Sequence, residues 1–216
     1  MAGSPGFHAP EPHAPRLHAA VFDVGHVLFD WDVRRLYATL IADEEALDVF
    51  LHDVVTMEWH AQHDAGRAFA ETSAELVERF PQHRALIEAY GPRFAETIPG
   101  PIRGMHELVA ELDAAGVPLF SITNFSGEFF RPFRADNAHL FDRFRDILVS
   151  GDEGLVKPDP AIFALALRRF GLEAGDGLFV DDRAENVAAA EAAGFVGHHF
   201  RDAGTLRADL ERRGLL

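Results

Sequence analysis

The sequence predicts a doubly wound parallel α/β core with a small all-helical cap inserted after its first strand. Short apolar runs alternate with amphipathic helical patterns, and one stretch breaks that alternation with helices alone. The runs are Ala19–Phe22, Val117–Ile122, Ile147–Val149 and Leu178–Val180, with Val196–Phe200 as a fifth. Unbroken apolar character over so few residues suits strands covered on both faces, as in a parallel sheet. Between the runs, Arg103–Ala115 places Met105, Leu108, Val109 and Leu112 on one stripe and stops at Gly116. Pro160–Phe170 stops at Gly171 in the same way, and Glu185–Ala193 stops at Gly194. Strand–helix–strand alternation of this kind implies a doubly wound sheet.

The stretch from Asp32 to Thr97 reads as consecutive helices: Val33–Ala42, Glu44–Met57, Ala68–Phe80 and Gln82–Glu96, punctuated by Gly66 and Pro81. The domains expected are therefore a core from residues 19–31 and 98–216 and a helical cap over 32–97. Such a cap would lie over the carboxyl edge of the sheet, where ligands of open α/β folds bind. The first eighteen residues are rich in Pro, Gly, Ala and His and lack a basic start and an apolar stretch. They are read as a disordered tail over residues 1–18, not a signal peptide.

Apolar residues make up 48% of the 216, enough to bury a good-sized core. No apolar run approaches the roughly 20 residues of a membrane span. With no cysteine, thiol chemistry and thiolate metal sites are excluded. The formal charge of −15 repels a phosphate backbone, so nucleic acid is not an expected partner. These properties predict a cytoplasmic protein, monomeric or homodimeric, whose partner is a small molecule.

Four strand ends carry polar groups. The first is Phe22-Asp23-Val24-Gly25-His26, where a carboxylate leaves a buried strand with a glycine two residues on. The second is Thr123-Asn124-Phe125-Ser126, whose hydroxyl and amide groups can donate to an anionic oxygen. The third is Lys157-Pro158-Asp159-Pro160, a lysine just ahead of a Pro-started helix. The fourth is Asp181-Asp182-Arg183, two adjacent acids that repel unless a cation is shared, with Mg²⁺ the ion an all-oxygen donor set selects. Each feature alone also has an ordinary reading as a turn, a cap or a solvated loop residue. In this order on successive strand ends, they would converge on one pocket.

The ordered motifs resemble those of the haloacid dehalogenase superfamily, and the likeness covers nearly everything after residue 18. The stretch FDVGHVLFDWD looks like the first motif of a phosphatase-like branch carrying FDxGxV. The resemblance implies a Rossmann-like core with a helical cap and Asp23 as the nucleophile of a covalent aspartyl intermediate. It places Thr123 on the phosphoryl oxygens, Asn124 and Gly25 against substrate, and Lys157 on the nucleophile and transferred group. It implies Mg²⁺ held by Asp23, the Gly25 carbonyl, Asp182, and Asp181 directly or through water. Phosphatases of this superfamily usually carry a second aspartate, a general acid and base, where this chain has Gly25. His26, or the cap histidines His60 and His63, are the candidates to supply the missing proton or to meet substrate.

Three functions stay in view. The first is a Mg²⁺-dependent phosphatase of a small phosphorylated metabolite; the second is a 2-haloacid dehalogenase using Asp23 in an ester; the third is a binding module without turnover. Paired acids at Asp181 and Asp182 favour the phosphatase, since they sit poorly beside an anionic haloacid without a cation. Asp30 and Asp32 are read as hinge caps, Trp59 as packing, Arg131 and Arg134 as surface residues, and Asn186 as a group orienting Asp182.

Overall fold

The computed structural model describes residues 17–216, so residues 1–16 of the expected tail lie outside it. Leu17 already packs against the core, and the His18 backbone N–H donates to the Asp176 carbonyl. The strands are β1 (Ala19–Phe22), β2 (Phe29–Asp30), β3 (Gly100–Pro101), β4 (Leu119–Thr123), β5 (Asp146–Val149), β6 (Gly177–Asp181) and β7 (Val196–His199). Five of them form one sheet in the order β5-β4-β1-β6-β7, every pair parallel. This is the doubly wound core the apolar runs predict. β1 lies at its centre, with Val21 in register with Phe120 on one side and Phe179 on the other.

The two-residue period of a strand sends neighbours to opposite faces. Ala20 and Phe22 therefore join one apolar cluster, with Met105, Leu108 and Leu112 of α6 (Met105–Ala114) and Leu206 and Leu210 of α12 (Ala203–Arg213). Ala19 and Val21 join a second cluster, with Ile162, Phe163 and Ala166 of α10 (Pro160–Phe170) and Ala190 of α11 (Ala184–Ala193). Both faces are thus dry, which is why β1 reads as an unbroken apolar run. Fully burying a side chain such as Phe22 stabilises the fold by about 1.5–3 kcal/mol.

β2 and β3 form a two-stranded antiparallel ribbon, and the Asp32 N–H donates to the Thr97 carbonyl beside it. Between the two strands the chain is helical: α1 (Val33–Ala38), α2 (Glu44–Asp53), α3 (Met57–Asp64), α4 (Phe69–Arg79) and α5 (Arg84–Ala89), with 3₁₀ turns at Pro81–His83 and Phe94–Thr97. Asp32 caps α1 by accepting from the Arg34 N–H. The helix expected over Glu44–Met57 stops at Asp53 instead, and a new one starts at Met57. The Thr56 side chain causes this by capping α3 through the Trp59 N–H, an alternative bond that Thr offers the backbone. The helix expected over Gln82–Glu96 likewise breaks into two 3₁₀ turns flanking α5. Trp59, Tyr90 and Phe94 of this segment belong to the same apolar cluster as Phe125 and Phe129 of the core, and Phe94 stacks on Phe129 at 4.5 Å.

Residues 127–141 form α7 (Gly127–Asp136) and the short α8 (Ala138–Phe141). Pro132 inside α7 disguises a helix that buries Phe129, Phe130 and Phe133 on one stripe. The short α9 (Ser150–Glu153) follows β5, and its Gly151 lies where three backbones meet. A Cβ at Gly151 would come within 2.8 Å of the Gly127 nitrogen and the Phe125 oxygen and 3.1 Å of the His63 oxygen. Backbone cannot rotate out of the way, so Gly151→Ala is expected to cost about 1–3 kcal/mol. A melting temperature unchanged in that variant would contradict this packing.

Candidate active site

The carboxyl edge of the sheet gathers the four polar features, but Lys157 ends no strand: it stands in the loop between α9 and α10, eight residues after β5. Asp23 follows β1 directly and is 8% exposed, with its Oδ1 accepting from the Val24 N–H at 2.7 Å. The Lys157 ammonium, itself buried, lies 2.9 Å from Asp23 Oδ2 and 2.7 Å from Asp181 Oδ2. Asp181 is fully buried at the end of β6 and also accepts from the Arg183 N–H and the Asn186 amide. Asn186 therefore orients Asp181, not Asp182 as the sequence suggested; the strand's alternation turns Asp181 inward to meet it. Asn124 holds the lysine from behind, its Nδ2 donating to the Lys157 carbonyl and its Oδ1 accepting the Lys157 N–H.

One ammonium serves two carboxylates, and they do not share it equally. Burial works against an ionised Asp181, but Lys157 and the Arg183 and Asn186 donors outweigh it and hold its carboxyl below the ordinary range. Asp23 has fewer donors, so burial, reinforced by Asp181, overcomes Lys157 and pushes its carboxyl up to about 7. Burial opposes the Lys157 charge too, yet Asp23 and Asp181 together keep it firmly protonated. Half-buried Asp182 is pushed up by burial and by Asp181. Oxygens of Asp23, Asp181 and Asp182 lie within 4.8 Å of one another, so three acids face a single lysine. This surplus of negative charge and the all-oxygen donor set fit a hard divalent cation.

Thr123, at the end of β4, is buried with its hydroxyl oxygen unpartnered among the described residues. A cavity of about 450 Å³ opens over the acids, lined by Asp23, Gly25, His26, Asn124, Lys157 and Asp182 together with helical-segment residues. Its remaining wall is largely apolar, with Phe29, Trp31, Met57, Phe94, Phe125 and Phe133.

The three candidate histidines are placed very differently. His26 lines the cavity in a left-handed conformation (φ 55°), its ring half exposed and its Nδ1 3.5 Å from Asp30. His60 also lines the cavity and stacks on Trp31 at 4.8 Å, and burial with His63 nearby lowers it to about 4. His63 does not reach the cavity: it is fully buried, bonded through Nε2 to the Thr72 hydroxyl at 2.6 Å. A substrate contact at His63 is therefore corrected to packing against Trp59 and Phe129. Trp59 is itself buried, and Arg131 and Arg134 pair with Asp152 and Asp142 at the surface.

The residue that sequence reasoning missed is Asp64. It lines the cavity from the end of α3, a helix the sequence did not reveal. Its spacing from His60, four residues along one helix face, was the available signal.

A parallel sheet with a carboxylate, a lysine and an acid pair at its carboxyl edge is the framework of a hydrolase. The chain belongs to the family of haloacid dehalogenase-like hydrolases, whose profile matches residues 17–194. It is 30% identical over 190 residues to a sesquiterpene phosphatase of Aspergillus oryzae, covering 85% of this chain and 90% of that one. A phosphoglycolate phosphatase of Yersinia pseudotuberculosis is 35% identical over 135 residues, 62% of this chain and 55% of the relative. In fold, the chain is similar to a haloacid dehalogenase family enzyme of Bacteroides thetaiotaomicron solved with magnesium and inorganic phosphate. That likeness has a TM-score of 0.66 at 17% identity over 86% of this chain and 95% of the other. No helix among the described residues is long and apolar enough to cross a membrane.

Proposed function

We propose that the protein is a magnesium-dependent phosphatase acting on a small phosphate monoester with an apolar carbon skeleton, through an aspartyl-phosphate on Asp23. The observation that carries this reading is the Lys157 ammonium set between Asp23 and Asp181, with Asp182 completing a three-acid cluster under an apolar cavity. Asp23, Asp181, Asp182 and the Gly25 carbonyl would hold the cation. It would supply charge compensation for the phosphoryl oxygens and favour the ionised nucleophile. Lys157 neutralises charge on the transferred group, and the unpartnered Thr123 hydroxyl is available to a phosphoryl oxygen. The helical segment over residues 32–97 would act as the cap, contributing Met57, His60 and Phe94 to the wall.

The apolar wall supports the substrate class, because a polar sugar or short diacid would leave its hydroxyls or carboxylate facing phenyl rings. The volume of about 450 Å³ is in the usual range of small-molecule sites. The similarity to a sesquiterpene phosphatase points the same way. The test is a panel of prenyl and alkyl monophosphates, phosphoglycolate, hexose phosphates and 2-chloropropionate, with Mg²⁺ or EDTA. Mg²⁺-dependent phosphate release is expected, with kcat/KM at least about 10-fold higher for the apolar monophosphates, the discrimination of one or two well-buried methylene groups. Metal-independent chloride release would overturn the reading in favour of a dehalogenase.

A further inference from the structure

We infer that Asp64, presented by the helical segment, is the proton donor and acceptor of the reaction, taking the place of the acid that Gly25 removes from the loop after β1. This rests on the phosphatase reading above. The vacancy at Gly25 is real space: an added Cβ there meets nothing within 4 Å, so no neighbouring side chain has grown into the position. Another group of the same cavity must therefore protonate an alkoxide leaving group, or the group must leave unprotonated at great cost in rate.

Asp64 has the properties this task requires. Its side chain is 14% exposed and lines the cavity that also holds Asp23, while its Oδ1 is itself closed to solvent and has no hydrogen-bond partner among the described residues. Its other oxygen, Oδ2, faces His60 Nε2 at 3.4 Å. The opposite ring nitrogen of His60 lies 2.6 Å from the Tyr90 hydroxyl. Burial keeps Tyr90 protonated and His60 neutral, so both stand beside Asp64 as uncharged hydrogen-bonding groups.

The backbone is held as firmly as the side chain. Ser150, at the end of β5, donates its hydroxyl to the Asp64 carbonyl at 2.6 Å while accepting the Phe125 N–H at 3.0 Å. Residue 64 is thereby tied to the same strand-end loops that carry Thr123 and Asn124. The titratable groups facing it are Asp23 and Lys157 from the core, Tyr90 from the end of α5, and His60 on its own helix. Burial, with the charge of Asp23, raises its carboxyl to about 7, against the opposing influence of the Ser126 backbone and Lys157. A carboxyl so placed is protonated in part at neutral pH, as an acid and base working in alternation must be.

In the first half-reaction a carboxylate oxygen of Asp23 attacks phosphorus, the phosphorus–oxygen ester bond breaks, and the departing oxygen takes the Asp64 proton. In the second, the Asp64 carboxylate accepts a proton from the water that attacks the aspartyl-phosphate. Inorganic phosphate leaves, and both acids return to their starting states.

The Asp64→Asn variant separates these steps without changing shape. Wild type and variant, full chain with Mg²⁺, are mixed rapidly with 4-nitrophenyl phosphate, whose leaving group needs no proton, and with an alkyl monophosphate. For the variant on the aryl ester, a burst of one nitrophenol per enzyme is expected at a rate within about 3-fold of wild type. Steady turnover should then be slowed about 100-fold or more, with phosphate trapped on the enzyme; on the alkyl ester no burst should appear. Equal slowing of both esters without a burst, or unchanged steady turnover, would overturn the role of Asp64. Wild type that hydrolyses neither ester with Mg²⁺ would instead overturn the phosphatase reading itself.

Discussion

Asp23→Asn is expected to reduce kcat by at least about 10⁴-fold, with substrate binding largely kept, because under the proposed mechanism an amide cannot take the carboxylate's place as nucleophile. The amide preserves the shape of a side chain that is 8% exposed and keeps an oxygen for the Val24 N–H. Its effect on stability should run the other way. The folded-state value of Asp23 is raised, so the folded protein binds a proton there more tightly than the unfolded chain does. Stability from that proton is fully present below the unfolded carboxyl value of 3.8 and is lost as pH rises through about 7. Without metal, the variant should therefore match wild type in melting temperature near pH 4 and exceed it at pH 8. Mg²⁺ should narrow the difference at pH 8 by stabilising wild type, whose third carboxylate the variant lacks. A metal-free melting temperature lower in the variant than in wild type at pH 8 would show that ionised Asp23 is well accommodated, contrary to this account. Activity gained at the expense of stability is the usual bargain of a buried nucleophile.

The same chemistry explains what was legible in the sequence. β1, β4 and β6 are buried along their whole length, and the polar residue ending each falls where the sheet opens. Asp23, Thr123 and the acid pair could be found for that reason, and Lys157 by its place just ahead of a Pro-started helix. Two kinds of information are not written locally. One is the direction of a side chain within an adjacent pair: nothing in Asp181-Asp182 says which faces Asn186, since the strand's phase decides it. The other is the role of a residue on a helix that packs against the sheet from a distance. Asp64 and Ser150 are 86 residues apart, and their contact exists only once the helical segment closes over β5. α3 itself was hidden because Thr56 begins a helix within three residues of the previous one's end, leaving no glycine or proline as a marker.

Lys157→Met should produce the largest loss of stability of any single change at the site. The methionine keeps an unbranched apolar stem but removes the ammonium, which lies 5.6 Å from the Phe179 ring centre and 2.9 Å and 2.7 Å from two buried carboxylates. Removing one partner from a buried ion pair leaves the other charge uncompensated, at a cost of about 3–5 kcal/mol. For a domain of this size each kcal/mol lowers the melting temperature by roughly 2–4 °C, so a fall of about 6–20 °C is expected at pH 8. The loss should shrink on acidification. Asp181 is held below its ordinary value by Lys157, so the stability that pairing contributes is present above 3.8 and lost as pH falls through the folded value. Asp23 protonates already near 7 and ceases to need the lysine below that. Mg²⁺ at pH 8 should restore part of the melting temperature, since the cation answers the same surplus of charge, while turnover stays low for want of the ammonium beside the transferred group. Thermal melts of wild type and variant at pH 5 and pH 8, with EDTA or Mg²⁺, measure all three effects at once. A variant within 2 °C of wild type at pH 8 in EDTA would mean that Asp23 and Asp181 are not both charged there, and that the lysine serves the transferred group alone.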